Sequence, residues 1–135
     1  MSGEVWYLDS SALVKTVVEE PESGALIEWL AGKDEFAACD LVRVEAIRAV
    51  RVSDPGAVER ARRALGTLTM IRLDPPVLDR AADLEPGSLR SLEAIHLAAA
   101  LSLGPDLAGV VTYDVRMADA AERLGLVVAA PAENR

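Results

Sequence analysis

The chain has 135 residues, of which 51% are hydrophobic and 4% aromatic, and its formal net charge is −8 at pH 7. This length fits one domain with a single core, and the negative charge argues against broad, non-specific attraction to nucleic acid or to an anionic membrane. The longest apolar segment, Leu92 to Leu103, is too short to span a bilayer, and Glu4 and Asp9 fall where a signal peptide would be apolar. We therefore expect a cytoplasmic protein. Cys39, the only cysteine, cannot form an internal disulfide and is expected to be buried and inert.

Short apolar runs alternate with helical patterns along the chain. The predicted strands cover residues 5–8, 36–39, 69–73, 110–113 and 127–129. The predicted helices cover about 11–19, 25–31, 40–52, 55 onward, 75–84, 91–103 and 115–124. Asp40, Asp54 and Asp74 are interpreted as helix caps, the last two each followed by a proline. The alternation predicts an α/β fold with a short, mostly parallel sheet of four to five strands, flanked by helices on both faces.

Two of the predicted strands end in an aspartate. Asp9 follows the run Val5 to Leu8, and Asp114 follows the run 109–113, each directly before a helix. Because the carboxyl ends of parallel strands meet at one edge of the sheet, where ligands bind in open α/β folds, both carboxylates are candidate site residues. The alternative for Asp9 is a helix cap, although either neighbouring serine could supply the cap without it.

Two glutamates stand on helix faces that are otherwise apolar. Glu45 falls in an apolar stripe of the helix over 40–52, and Glu93 is the only charge on the apolar helix over 91–103. Burying a carboxylate without compensation is costly, so each position implies a cation, a metal ion or a water-filled cleft nearby. For Glu45 the alternative is a partly exposed pair with Arg48, three residues along the helix.

Two further titratable residues near these positions have a structural interpretation. His96 lies one turn after Glu93, close enough to act as the partner of a metal-binding carboxylate. We favour a hydrogen-bonded core histidine over a metal ligand, because hard cations prefer oxygen and no second histidine is present to complete a zinc site. Asp119, within the last helix, is interpreted as surface charge, although it could reach a second metal ion.

The four carboxylates together predict a metal site. Asp9, Glu45, Glu93 and Asp114 would place about four negative charges in a small space, which protons or divalent cations must neutralise. Oxygen ligands select Mg²⁺ or Mn²⁺, ions that commonly bind substrate phosphates as well. The arrangement therefore predicts metal-assisted hydrolysis of a phosphodiester bond. The chain has no G-x-S-x-G, C-x-x-C, P-loop or G-x-G-x-x-G motif, which argues against a covalent mechanism.

Four segments that contain these carboxylates resemble the successive motifs of a known family. They are Leu8 to Lys15, Arg43 to Ala49, Arg90 to Ala98 and Val111 to Asp114. In order and spacing they are similar to PIN-domain ribonucleases, and most of all to the VapC-like toxins of bacterial type II toxin–antitoxin systems. The resemblance implies one PIN-like nuclease domain over residues 1–135, a Mg²⁺- or Mn²⁺-dependent endoribonuclease, a homodimer, and inhibition by a small cognate antitoxin.

The resemblance also implies roles for individual residues. By motif position, Asp9, Glu45 and Asp114 are catalytic, metal-binding carboxylates, and Ser11 and Thr112 are supporting hydroxyls. Glu93 takes the remaining acidic position, where the family usually has aspartate. Its extra methylene moves the carboxylate by about a bond length, which can turn direct metal coordination into a water-bridged one.

The segment 43–63 carries six arginines and three acidic residues, a local balance of 6 − 3 = +3. One interpretation is an ordinary solvated helical face. The other is a strip that steers phosphate, in which Arg43, Arg48 and Arg51 contact the RNA substrate or the antitoxin.

Two other functions are kept as alternatives. In the first, Glu93 has spoiled the metal site, and the chain is a catalytically impaired binding module with the same fold. In the second, Asp9 is the nucleophile or phosphoacceptor of a phosphoaspartyl phosphatase or receiver-like domain. This second alternative is weakened because the phosphatase pattern requires another aspartate two residues later, where Ser11 stands.

Overall fold

The computed structural model describes residues 3–133. The predicted domain over 1–135 therefore includes residues 1–2 and 134–135, which lie outside the described part of the chain. A five-stranded sheet forms the centre, and all its pairings are parallel. The strands, in the spatial order β3-β2-β1-β4-β5, are β1 (Val5–Leu8), β2 (Glu35–Cys39), β3 (Thr69–Ile71), β4 (Leu107–Val111) and β5 (Val128–Ala129). The predicted α/β class and parallel sheet are confirmed.

The helices within residues 3–133 cover both faces of the sheet, as predicted. They are α1 (Ser10–Val17), α2 (Ser23–Ala31), α3 (Val42–Ser53), α4 (Val58–Leu65), α5 (Pro75–Asp83), α6 (Ser91–Leu101) and α7 (Val115–Arg123), with short 3-10 turns at Pro55–Ala57 and Gly104–Asp106. No helix in this part of the chain combines the length and the apolar character that a membrane crossing requires.

Strand β1 lies in the middle of the sheet, and its side chains pack into two separate apolar layers, one on each face. Successive side chains of a strand point to opposite faces. Leu8 packs with α1, α3 and α4 on one face, whereas Tyr7 packs with α5 and α6 on the other. Both residues are almost completely buried. A short strand that is apolar on both faces is what a buried parallel sheet requires, and it holds Asp9 at the centre of the carboxyl edge.

One of the three predicted helix caps is wrong. Asp40 does not cap α3 with its side chain; its carboxylate accepts a hydrogen bond from the backbone N–H of Leu73 at 3.3 Å and pairs with Arg43. Asp54 does hold the N-cap position before Pro55, but its side chain makes no capping hydrogen bond, and the element that it starts is a 3-10 turn that precedes α4. The prediction for Asp74 is confirmed, since its carboxylate accepts from the N–H of Val77 at 3.2 Å.

Strand β4 begins and ends earlier than the predicted range of 110–113. The N–H of Thr112 still donates to the carbonyl of Ala129 on β5 at 3.1 Å, but the two N–H groups after it bond to side chains instead of a neighbouring strand. The N–H of Tyr113 donates to Ser11 Oγ at 2.9 Å, and the N–H of Asp114 donates to Thr112 Oγ1 at 3.0 Å. These bonds turn the chain toward Asp9 and form part of the candidate site.

Candidate active site

The four predicted carboxylates line one cleft of about 360 Å³ at the carboxyl edge of the sheet. They come from four separate elements. Asp9 follows β1, Glu45 lies on α3, Glu93 lies on α6, and Asp114 follows β4. Parallel strands explain the first and last positions, because their carboxyl ends share one edge. The two helices bring the glutamates over that edge from opposite faces of the sheet.

Asp9 is buried, and both of its carboxylate oxygens accept hydrogen bonds. Oδ1 accepts from Ser11 Oγ at 2.6 Å and from the N–H of Ala12 at 3.0 Å, and Oδ2 accepts from Thr112 Oγ1. The bond from Ala12 makes Asp9 the cap of α1, so the residue is both a cap and a member of the cleft. Burial raises the pKa of Asp9, and the hydrogen bonds from Ser11 and Thr112 offset only part of this effect.

The two predicted supporting hydroxyls join the ends of β1 and β4. Ser11 and Thr112 bond to different oxygens of Asp9, and their own oxygens lie 3.5 Å apart. Each also accepts a backbone N–H from the segment after β4, as described above. The network therefore fixes the direction of Asp9 and sets the position of Asp114, the next acidic residue along that segment.

Glu45 is half-buried and is held through a single oxygen. Its Oε1 lies 2.8 Å from Ser10 Oγ and 2.8 Å from His96 Nε2. Burial acts to raise the pKa of Glu45, but the hydrogen bonds from His96 and Ser10 outweigh it, and the pKa is lowered. The alternative partner, Arg48, is exposed and forms no ion pair with any residue in the range 3–133.

His96 is a buried, hydrogen-bonded histidine, as favoured from the sequence. It contacts Glu45 on α3 rather than Glu93 on its own helix, and its Nδ1 lies 2.7 Å from the hydroxyl of Tyr7 and 3.8 Å from Cys39 Sγ. Burial acts to lower the pKa of His96, but the contacts with Cys39 and Glu45 outweigh it and raise the pKa to about 9. The imidazole therefore carries positive charge beside the acidic cleft at neutral pH.

Glu93 and Asp114 interact with the starts of helices. Glu93 is buried; its Oε1 accepts from the N–H of Arg90 at 3.1 Å, and its Oε2 lies 3.3 Å from Arg116 Nε. Asp114 is exposed and caps α7 by accepting from the N–H groups of Arg116 and Met117. Glu93 is therefore paired within the protein, whereas no hydrogen bond from residues 3–133 reaches the second oxygen of Asp114.

The residue types in the cleft fit a hard divalent cation, because four carboxylates supply only oxygen ligands. The side chains do not form a full set of metal ligands, however. Among residues 3–133, no three Asp, Glu, His or Cys side chains lie close enough together to hold a metal ion. Mg²⁺ commonly binds through one or two carboxylates and keeps several waters. The cleft therefore fits such an ion held by one or two of its carboxylates, with Asp9 and Asp114 at the shared edge of the sheet.

The other residues singled out from the sequence lie elsewhere. Arg43, Arg48 and Arg51 are exposed on α3, and none of them lines the cleft. Asp119 is exposed and pairs with Arg123 at 3.1 Å, which agrees with surface charge. Sequence reasoning missed Arg90, which does line the cleft. Its position just before the helix of Glu93 is a usable signal only once that helix is known to face the site.

A family model described as PIN domain matches residues 6–123. The chain belongs to the PIN-domain family. Over 125 residues it is 49% identical to Ribonuclease VapC46 of Mycobacterium tuberculosis, which covers 93% of this chain and 96% of that protein. It is also 44% identical over 130 residues to Ribonuclease VapC47 of the same species, and this alignment covers 93% of this chain and 96% of that protein. The predicted resemblance to VapC-like PIN-domain proteins is confirmed.

Two solved structures share the fold. A toxin–antitoxin complex from Klebsiella pneumoniae superposes with a TM-score of 0.72 at 22% identity and covers 95% of this chain and 98% of that one. Mycobacterium tuberculosis VapC20, described as a Sarcin-Ricin loop cleaving toxin, superposes with a TM-score of 0.70 at 14% identity. The match covers 90% of this chain and 96% of that one. At these identities the two structures support the fold assignment.

Proposed function

We propose that this PIN-domain protein is a Mg²⁺- or Mn²⁺-dependent endoribonuclease and the toxin of a type II toxin–antitoxin system. The observation that carries the proposal is the convergence of Asp9, Glu45, Glu93 and Asp114 on one cleft from four elements. Relatives that are 49% and 44% identical over nearly the whole chain are named ribonucleases, which supports RNA as the substrate. The PIN-domain match favours hydrolysis over the phosphoaspartyl alternative.

Asp9 and Asp114 are the residues best suited to hold the divalent ion, with Glu45 and Glu93 completing the acidic surface. When bound, such an ion lowers the pKa of a water molecule and offsets negative charge at the attacked phosphate. Ser11 and Thr112 keep Asp9 in one orientation, so this ligand needs no reordering when the ion binds.

The remaining polar groups of the cleft act on the water and on the RNA. Glu45 lines the cleft and is ionised at neutral pH, because its pKa is lowered, so it can orient a water or accept its proton. Arg90, at the start of α6, also lines the cleft and is exposed, which suits contact with a phosphate of the bound strand. Acidic net charge does not prevent RNA binding, because the cation and nearby arginines supply local positive charge.

The impaired-module alternative retains one supporting observation. Glu93 is held by the N–H of Arg90 and by the side chain of Arg116, and both contacts compete with metal coordination. If Glu93 has spoiled the site, the wild type is inactive and Glu93→Asp switches cleavage on. If Glu93 serves in the site, the wild type cleaves RNA and Glu93→Asp changes the rate without creating the activity.

Further proposals concern partners and location. We propose that the chain is one nuclease domain that forms a homodimer and acts in the cytoplasm, where its RNA substrate is found. A small cognate antitoxin is expected to inhibit it, and a solved toxin–antitoxin complex with the same fold supports a partner of this kind. Arg43, Arg48 and Arg51 remain candidates for contact with RNA or antitoxin, and charge reversals that leave both bindings intact would show them to be ordinary surface.

Incubation of the purified protein with structured RNA tests the function directly. Cleavage is expected with Mg²⁺ or Mn²⁺ and should stop when EDTA removes the ion. Asp9→Asn is the matched control, since it removes one charge from the cleft and keeps the shape of the side chain. Induced wild type should also arrest bacterial growth, and Asp9→Asn should relieve the arrest. Absence of cleavage with either ion, together with growth arrest that Asp9→Asn leaves unchanged, would overturn the proposal.

A further inference from the structure

A buried chain of hydrogen bonds connects the central strand to Glu45 through His96. The imidazole Nδ1 lies 2.7 Å from the hydroxyl of Tyr7 on β1, and Nε2 lies 2.8 Å from Glu45 Oε1 on α3. His96 and Tyr7 are 4% and 1% exposed. Nε2–H donates to Glu45 Oε1, and Nδ1 shares a hydrogen bond with the Tyr7 hydroxyl, so both ring nitrogens have a partner. The path therefore joins three elements that surround the cleft: β1, α6 and α3.

These hydrogen bonds hold only one of the two carboxylate oxygens of Glu45. Ser10 and His96 both bond to Oε1, and within residues 3–133 no hydrogen bond or ion pair reaches Oε2. Glu45 lines the cleft, and its side chain is 27% exposed. Fixing one oxygen of a carboxylate limits the directions that the other can take. Oε2 is thus the oxygen left to meet a ligand in the cleft.

His96 is suited to this task because it has little freedom to move. Its ring is buried and meets the ring of Tyr7 edge to face, with centroids 5.9 Å apart and an interplanar angle of 71°. Ser10, the other donor to Glu45, is more accessible to water. Side chains that hold a metal-binding group in place commonly affect metal affinity without touching the ion.

We propose that His96 is a positioning residue for Glu45: Tyr7 fixes the imidazole, and the imidazole turns the free oxygen of Glu45 toward the divalent ion. The inference rests on the proposed function, because it assigns Glu45 a part in metal binding. It gives the single histidine of the chain a role that requires neither contact with the metal nor contact with RNA.

Two substitutions of similar size separate positioning from packing. The amide nitrogen of glutamine lies about as far from the backbone as Nε2, so His96→Gln can still donate to Glu45. Asparagine reaches only as far as Nδ1, so His96→Asn loses that bond. Both remove the ring and should lower the melting temperature to a similar extent. Calorimetric titration with Mn²⁺ is expected to show an affinity about 10- to 100-fold weaker for His96→Asn, with His96→Gln closer to wild type.

Crystal structures of the two variants provide a readout that does not depend on the metal. The Glu45 carboxylate should leave its place in His96→Asn and keep it in His96→Gln. The proposal is overturned if His96→Asn binds Mn²⁺ as tightly as wild type, or if Glu45 keeps its orientation in that variant. A wild type that binds no Mn²⁺ would refute the proposed function, and the orientation of Glu45 would still decide whether His96 positions it.

Tyr7→Phe provides a milder variant if the His96 substitutions do not fold. It removes one hydroxyl and keeps the aromatic ring in the core. A loss of Mn²⁺ affinity smaller than that expected for His96→Asn, with Glu45 shifted from its place, supports the chain of hydrogen bonds. Unchanged affinity and an unchanged Glu45 in this variant would contradict the part assigned to Tyr7.

Discussion

Replacing Thr112 by valine tests whether the hydroxyl network holds Asp9. The residue is buried, and valine has nearly the same shape as threonine. The hydroxyl donates to Asp9 Oδ2 and accepts from the N–H of Asp114. A hydrogen bond to a charged group contributes about 1.5–3 kcal/mol, and a polar group left without its partner costs about 1–3 kcal/mol. Because Asp114 lies at the surface, its N–H can bond to water instead. We therefore expect the free energy of unfolding to fall by about 2–4 kcal/mol in Thr112→Val.

This loss is large enough to measure in a chain of this size. Globular proteins have an unfolding entropy of about 2.1 cal/mol/K per residue, so each kcal/mol changes the melting temperature of a 135-residue chain by about 3.5 °C. Thr112→Val should therefore melt about 7–14 °C below wild type. Thr112→Ser is the control, since it keeps the hydroxyl and loses one buried methyl group, at a cost of about 1 kcal/mol.

Circular dichroism during thermal and urea denaturation measures both variants, and a double-mutant cycle with Asp9→Asn locates the effect. If the lost bond is the one to the charged carboxylate, Thr112→Val should cost less in the Asp9→Asn background than in wild type. The reasoning is refuted if Thr112→Val is as stable as Thr112→Ser, or if its cost is the same in both backgrounds.

Three further predictions follow from single residues. Burial raises the pKa of Asp9, so ionisation of this carboxyl destabilises the fold as the pH rises; wild type should gain stability relative to Asp9→Asn as the pH falls from 7 to 4, and a difference that does not change with pH would contradict this. His96, the only histidine, should titrate by NMR near its raised pKa of about 9, so its stabilising charge is complete below pH 6.5 and lost as the pH rises through 9. Glu45→Gln should lower the midpoint of this titration. A wild-type midpoint at or below pH 6.5 would contradict the prediction. Gly109→Ala places Cβ 2.6 Å from the carbonyl oxygen of Val127 and should cost about 1–3 kcal/mol, whereas Gly24→Ala on an open helix face should cost nothing; equal melting temperatures would refute the clash.

The positions of the acidic residues were predictable because each broke a local pattern. Asp9 and Asp114 end apolar strands, and Glu45 and Glu93 interrupt apolar helix faces. Such breaks indicate a site without any knowledge of tertiary contacts. The parallel sheet followed from the alternation of elements, which leaves few ways to connect short strands.

The partners of those carboxylates were not predictable, because contacts between distant elements do not follow from spacing. Glu45 bonds to His96, 51 residues away, rather than to Arg48 on the same helix face. Tyr7 could be read only as an apolar strand residue, since its hydroxyl finds a partner on a helix from the other half of the chain. The wrong cap at Asp40 has the same origin, because the carboxylate bonds to the segment after β3.

The central claim is that the acidic cleft binds a divalent cation. A crystal of the protein soaked in Mn²⁺, with anomalous diffraction recorded at a wavelength where manganese scatters strongly, tests it most directly. The account predicts a manganese peak in the cleft, within coordinating distance of the carboxylates of Asp9 and Asp114, and no such peak in Asp9→Asn. A wild-type crystal with no peak in the cleft, or with manganese bound only at other carboxylates, would contradict it.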